Sequence, residues 1–380
     1  MQSGEGAERL MIKVLTVFGT RPEAIKMAPV VQALARDPTA FTVRVCVTAQ
    51  HRELLDQVLA LFHIAPDYDL DIMRPNQSLA GTAAAVLLGL EPVLEAERPD
   101  WVLVQGDTTT VAAASLAAFY SGCRVGHVEA GLRTYDRSQP FPEEMNRRIA
   151  SLLGDLHFAP TERAAANLRR EGIPADRVIV TGNTVIDAIR QVADLPFDPA
   201  GTPLADLPLG RRRLILVTAH RRENFGRGME EICAGLRTLA ERHDDIHLVY
   251  PVHPNPNVRE PVCRLLGGIP NITLLPPLEY QPLVWLMKQS HFVITDSGGI
   301  QEEAPGLGKP VLVLRRTTER PEGVEAGVVK LVGPDRAAIA AEAERLLRDP
   351  VYYQQMARAA NPYGDGRAAE RIASALRQFA

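Results

Sequence analysis

Cysteine is scarce in this chain of 380 residues, and the four present (Cys46, Cys123, Cys233, Cys263) form no Cys-x-x-Cys pair. That excludes a disulfide framework and a structural zinc site, and small core residues of a reducing compartment are expected instead. An excess of positive charge is missing too. The 42 Lys and Arg stand against 46 Asp and Glu, a net charge of −4, which argues against general nucleic-acid binding. Apolar runs such as Ala83–Leu88 break off within a few residues, short of the ~18–20 needed to span a bilayer. The first ten residues, MQSGEGAERL, lack the apolar stretch of a signal peptide. A soluble, cytoplasmic protein is expected. Neither Gly-x-Gly-x-x-Gly nor Gly-x-x-x-x-Gly-Lys-Ser/Thr occurs, so nicotinamide and ATP-hydrolysis chemistry both lose support.

What is present is a regular rhythm of strand and helix. Hydrophobic residues make up 46% of the chain, enough for two cores. Strands are predicted over Ile12–Phe18, Phe41–Thr48, Trp101–Val104, Val125–Val128, Leu156–Phe158 and Val178–Val180. The second half repeats them at Leu214–Thr218, His247–Tyr250, Ile272–Leu275, Phe292–Thr295, Val311–Leu314 and Val328–Leu331. Most are apolar on both faces, as strands covered by helices on each side must be, whereas Phe41–Thr48 alternates and belongs nearer an edge. Helical patterns such as Pro22–Arg36, Leu79–Glu97, Met229–Arg242 and Ala337–Leu347 fill the gaps. The fold class is therefore α/β: two doubly wound parallel-sheet (Rossmann-like) domains facing a central cleft. The proline-rich stretch Leu195–Gly210 reads as the linker between them.

Ligands of such sheets sit beyond the carboxyl ends of the strands, so the residues that follow strands carry the function. Gly19-Thr20-Arg21-Pro22-Glu23 follows the first strand, with Lys26 one turn later. Arg21 and Lys26 converge there on an anion favoured by the helix dipole. Asp107 in Gly106-Asp107-Thr108-Thr109-Thr110 either caps the next helix or faces a ligand. Glu129, directly after a buried strand, must be paired or functional. Glu143 opens a helix, an ordinary place for an acid. His220 ends a strand beside two arginines, while His253 lacks such context and reads as structural. The sharpest signal is Asp296-Ser297-Gly298-Gly299, where backbone N–H groups can approach phosphate closely. Glu303 in the same turn suits a vicinal diol such as a ribose. Arg320 can close on the same ligand, and Arg315 and Arg316 read as a solvated loop.

The runs FGTRPEAIKMAP (18–29), VTAQHRELLDQVL (47–59), GDTTT (106–110), GHVEAGLRT (126–134) and PEEMNR (142–147) are similar to those of the non-hydrolysing UDP-N-acetylglucosamine 2-epimerases. So are HRREN (220–224), YPVHPNPNVREPV (250–262), TDSGGIQEEAP (295–305), TTERPEG (317–323) and NPYGDGRA (361–368). The resemblance implies a GT-B type fold with an N-terminal domain of residues 1–184, joined by a C-terminal helix at 366–380. A UDP-binding domain would cover 185–365. It implies a cytoplasmic homodimer, with no cofactor and no metal, that converts UDP-GlcNAc reversibly to UDP-ManNAc for polysaccharide biosynthesis. A GT-B glycosyltransferase and a hydrolysing 2-epimerase are the alternatives. Carried over by position, Asp107, Glu129, Glu143, His220 and Lys26 would be catalytic. Arg21, Lys26, Asp107, Glu129, His220, Ser297, Gly298, Gly299, Glu303 and Arg320 would bind substrate. Leu278 and Leu283 stand where some members place Gln and Phe near the uracil. Gln50 and His51 mark a place for a second UDP-GlcNAc as activator.

Overall fold

The computed structural model describes residues 11–49, 52–74 and 77–379. The chain divides into two compact units, one holding the residues up to Ala188 and those from Gly364 onward, the other running from Ile189 to Tyr363. In the first unit the strands are β1 (Ile12–Phe18), β2 (Phe41–Val47), β3 (Tyr68–Asp69), β4 (Trp101–Gln105), β5 (Arg124–Val128), β6 (Leu156–Ala159) and β7 (Val178–Val180). Its helices are α1 (Arg21–Ala35), α2 (Arg52–Leu61), α3 (Leu79–Glu97), α4 (Thr109–Tyr120), α5 (Glu143–Leu153) and α6 (Glu162–Arg170). Next, α7 (Thr184–Ala193) carries the chain across the division.

The second unit contains β8 (Arg213–Thr218), β9 (Ile246–Pro251), β10 (Ile272–Leu275), β11 (Phe292–Thr295), β12 (Val311–Val313) and β13 (Val329–Leu331). Around them lie α8 (Arg227–Arg242), α9 (Pro256–Leu266), α10 (Tyr280–Gln289), α11 (Gly298–Gly306), α12 (Pro321–Glu325), α13 (Arg336–Arg348) and α14 (Pro350–Arg358). The last helix, α15 (Ala368–Gln378), packs on α1 of the first unit.

Both sheets are parallel throughout, in the orders β3-β2-β1-β4-β5-β6-β7 and β10-β9-β8-β11-β12-β13. Each order reverses once, between β1 and β4 and between β8 and β11. Loops diverge at such a switch point and leave a crevice at the carboxyl ends of the strands. Leu15, Val17, Val102, Val104 and Val125 build one core; Ile215, Val217, Leu248, Ile294 and Leu312 build the other. β2 is edge-like as expected, because only the two residues of β3 lie outside it.

Three expectations change. Leu195–Gly210 does not separate the units: it lies inside the second, where Leu204 and Leu207 are buried. α3 is apolar and long enough, at 19 residues, to cross a membrane by length and composition alone. It packs along α4, and its buried positions Thr82, Val86, Leu90, Val93 and Leu94 follow one helical stripe. Of the cysteines, Cys46 and Cys233 are buried, but Cys123 is half-buried and Cys263 is exposed.

Candidate active site

In the first unit, the loops after β1, β4 and β5 meet at the switch point. Glu129 follows β5 with φ +62°, a left-handed conformation that costs a non-glycine residue about 1–2 kcal/mol. Its carboxylate is buried, 7% exposed, and three donors converge on it. Lys26 Nζ lies 2.6 Å from both oxygens, Asn183 Nδ2 donates to Oε1 at 2.9 Å, and Gln105 Nε2 donates to Oε2. Two amides and an ammonium all favour the charged form. Lys26 Nζ and the Glu129 carboxylate form an ion pair, both largely buried.

The backbone amides at the start of α1 are occupied as well. Glu23, 2% exposed, accepts from Gly19 N at 3.0 Å and Thr20 N at 2.7 Å through Oε2. Its other oxygen accepts from Thr108 Oγ1 at 2.7 Å, tying the β1 loop to the β4 loop. Burial raises the Glu23 pKa, and the hydrogen bonds from Thr108, Thr20 and Gly19 oppose that rise. The Arg21 side chain, in contrast, is half-buried and makes no hydrogen bond to another described residue.

The question left open at Asp107 is answered by Thr108. Its hydroxyl caps α4, accepting from Val111 N. Asp107 is instead gripped from α5: Arg147 Nη2 donates to its Oδ2 at 2.5 Å, and Asn146 Nδ2 donates to its carbonyl at 2.9 Å. The two acids opening α5 part company. Glu144 is fully buried and accepts from Thr134 N and Tyr135 N, holding the loop after β5, while Glu143 is bonded to no described residue. Beneath these loops His127 donates from Nε2 to Gly106 O at 2.7 Å, and burial pushes its pKa down to about 4.

The second unit builds its site on Asp296, which ends β11 with no exposure. Asp296 accepts from His220 N, Arg221 N at 2.9 Å and Asn224 Nδ2 at 3.0 Å, which fixes the loop after β8. The His220 ring stacks on His253, centroids 5.4 Å apart and 17° from parallel. Burial lowers the His220 pKa, and His253 and Arg221 push it the same way against Asp296. Burial thus biases its imidazole toward the neutral form.

Ser297 occupies the N-cap of α11, and its side chain makes no capping bond to the first amides of that helix. A Cβ on Gly298 would stand 2.7 Å from Arg320 Nη1, so any larger residue there would make the guanidinium shift. Glu302 and Glu319 hold that guanidinium, accepting from Nε at 2.5 Å and from Nη1 at 2.8 Å. Glu303 lies alongside, its Oε1 3.5 Å from where a Gly299 Cβ would be. Leu278, in the loop after β10, and Leu283, on α10, are both half-buried.

Arg315 is not solvated as expected: its side chain is 12% exposed and bridges Glu223 and Glu319. Against the burial of its carboxyl, Arg320 and Arg315 bring Glu319 down to about 2. Gln50 and His51 lie outside the described residues. Sequence reasoning gave no role to Gln105, Arg147 and Asn183, and read His253 as structural and Arg315 as solvated. Arg147 stands inside a run singled out above, and Gln105 and Asn183 carried no local signal.

The family model described as UDP-N-acetylglucosamine 2-epimerase matches residues 32–377. The UDP-N-acetylglucosamine 2-epimerase of Escherichia coli K12 is 58% identical over 371 residues, covering 96% of this chain and 98% of that one. A crystal structure of UDP-GlcNAc 2-epimerase from Neisseria meningitidis bound to UDP-GlcNAc superposes with a TM-score of 0.85 at 52% identity, over 97% and 100% of the two chains. The glycotransferase of kitacinnamycin, 14% identical, shares the fold with a TM-score of 0.65 over 96% of this chain and 99% of its own, a GT-B-like arrangement of two sheets. The chain belongs to the UDP-N-acetylglucosamine 2-epimerase family.

Proposed function

We propose that this isomerase interconverts UDP-GlcNAc and UDP-ManNAc by eliminating UDP and adding it back. What carries the reading is the 58% identity with the E. coli enzyme over almost the whole chain. The geometry supports a route. No carbonyl acidifies C2 of the sugar, so the proton must leave together with a good leaving group. The C1–O bond breaks with its electron pair going to the β-phosphate oxygen. A carboxylate takes the C2 proton, and the C–H pair becomes the C1=C2 bond of a 2-acetamidoglucal. Re-addition of that oxygen to C1, with protonation of C2 on the opposite face, completes the inversion.

The second unit takes the UDP. Amides of α11, Ser297, Gly298, Gly299 and Arg320 meet the diphosphate, whose developing charge is best stabilised by dipoles already in place. Glu303 accepts from the ribose diol, Leu278 and Leu283 pack on uracil, and His220 hydrogen-bonds the departing oxygen. The first unit supplies the acid–base groups: Glu129, kept charged by its donors, serves one face of C2, and Glu143 or Asp107 serves the other. Arg21 meets the phosphate, and Lys26 acts through Glu129. Two further parts of the reading concern partners. Exposed Leu88, Phe119, Tyr120 and Leu152 on α3, α4 and α5 support pairing with a second copy of the chain. A second UDP-GlcNAc near Gln50 and His51 would make the rate sigmoidal in substrate. We place the reaction in the cytoplasm, in keeping with four free cysteines.

Incubating the protein with UDP-GlcNAc in D2O tests the route. Deuterium should enter C2 of recovered UDP-GlcNAc alongside UDP-ManNAc. Inversion without label removes the elimination, free ManNAc means hydrolysis, and no reaction without an acceptor means glycosyl transfer.

A further inference from the structure

The donors to Glu129 come from three places: Lys26 from α1, Gln105 from the end of β4, and Asn183 from the turn before α7. Of these, Asn183 is the one whose position depends on how the chain leaves the unit. It is 2% exposed, and its side-chain oxygen accepts from Val185 N at 3.1 Å. That bond settles which end of the amide is which. An amide N–H donates only to an acceptor, so Oδ1 must face Val185 N, and Nδ2 must face Glu129. The side chain has one orientation, and in it the donor points at the carboxylate.

The segment carrying Asn183 is itself clamped by the returning chain. Asp187, one turn into α7, accepts from Ala368 N at 3.1 Å and Ala369 N at 2.9 Å at the start of α15. Arg371 of α15 donates to Thr181 O at 2.9 Å. Gly364, with φ +131°, lies so close that a Cβ there would stand 3.3 Å from Gly182 Cα and 3.5 Å from Asn183 N. The chain passes out of the first unit after Ala188 and back at Gly364, so both passages bear on the residue that holds Glu129.

We infer that Asn183 is a positioning residue that holds the Glu129 carboxylate in its charged, proton-accepting form and ties it to the two passages of chain between the units. The inference rests on the role given to Glu129 above. Among the described residues, Lys26, Gln105 and Asn183 face that carboxylate, with His127 buried beneath on β5. A neutral donor at position 183 stabilises the anion without adding a proton that titrates. A carboxylate in its place would set two like charges side by side.

The test compares Asn183→Asp, nearly isosteric, with Asn183→Ala in the full-length protein. The readouts are kcat and KM for C2 deuterium exchange across pH, UDP affinity by calorimetry, and thermal melting. In Asn183→Asp, kcat is expected to fall about 100-fold near pH 8, the scale of a misplaced acid–base group. It should recover in part near pH 5–6, where the new carboxyl carries a proton to donate, while UDP affinity stays unchanged. Asn183→Ala should lose about tenfold at every pH without that recovery. An Asn183→Asp profile superimposable on the parent, or losses that merely follow the unfolded fraction, overturn the inference. Carbon-13 NMR titration of the Glu129 carboxyl gives a readout that needs no turnover. Its midpoint should move up in both variants, and an unmoved midpoint also overturns the inference. Absence of exchange in the parent protein would instead sink the elimination route, so the two failures are told apart.

Discussion

Two helices start beside the switch points of the two sheets, from strands on opposite sides of them, and differ in what meets their N-terminal turns. α1 follows β1 and α11 follows β11, each at the point where its strand order reverses. At α1 the amides of Gly19 and Thr20 are taken by Glu23, and Lys26 one turn on is taken by Glu129. At α11 Ser297 makes no capping bond, and Arg320 stands beside Gly298. A helix N-terminus binds an anion only while its amides are unsatisfied. In the proposed reaction the first unit uses this place to fix carboxylates, and the second presents its own to the diphosphate.

The largest test of that division is Glu129→Gln. Losing the carboxylate while keeping its shape should slow C2 exchange by about 10³-fold, toward the upper end of what one acid–base group supplies. UDP affinity, read by calorimetry, should not move, and a parallel loss of UDP binding would break the comparison. Next comes Gly298→Ala. Its Cβ must displace the Arg320 guanidinium, 2.7 Å away. UDP affinity should drop about tenfold, equivalent to ~1.4 kcal/mol, and unchanged affinity would mean that the diphosphate is held elsewhere. The smallest effect is expected at Glu23. Burial raises its folded pKa above the ordinary 4.5, so between the two values the native state holds more protons than the unfolded one. By linkage, stability falls as pH climbs through that window. Glu23→Gln has no proton to lose and should flatten that part of the melting-temperature profile. A profile like the parent's would show that Glu23 titrates as an ordinary surface acid.

The sheets were largely legible because parallel strands buried on both faces must be nearly continuous apolar runs. Ile12–Phe18 and Phe292–Thr295 could be read to the residue. β3 escaped because two residues, Tyr68 and Asp69, carry no periodicity at all. The 195–210 stretch misled because proline and glycine mark irregular backbone, not its place in a unit, and Leu204 is buried there all the same. In the site, strand ends exposed Asp107, Glu129, His220 and Ser297 to reading, since each follows an apolar run directly. Their partners were invisible for a different reason. Asn183 lies 54 residues from Glu129, and Arg147 lies 40 from Asp107, and nothing local to either asparagine or arginine says which carboxylate it meets.

The order of residues along the chain was enough to determine two parallel sheets, the loops that carry polar groups, and the kinship those loops reveal. Short-range rules cover these features because periodicity, turn residues and helix starts act over a few positions. Tertiary structure alone decided which backbone amides a carboxylate takes, which lysine is paired and which histidines burial biases toward the neutral form. Those outcomes depend on burial and on distances of about 3 Å between groups far apart in sequence, which exist only once the strands have been laid side by side.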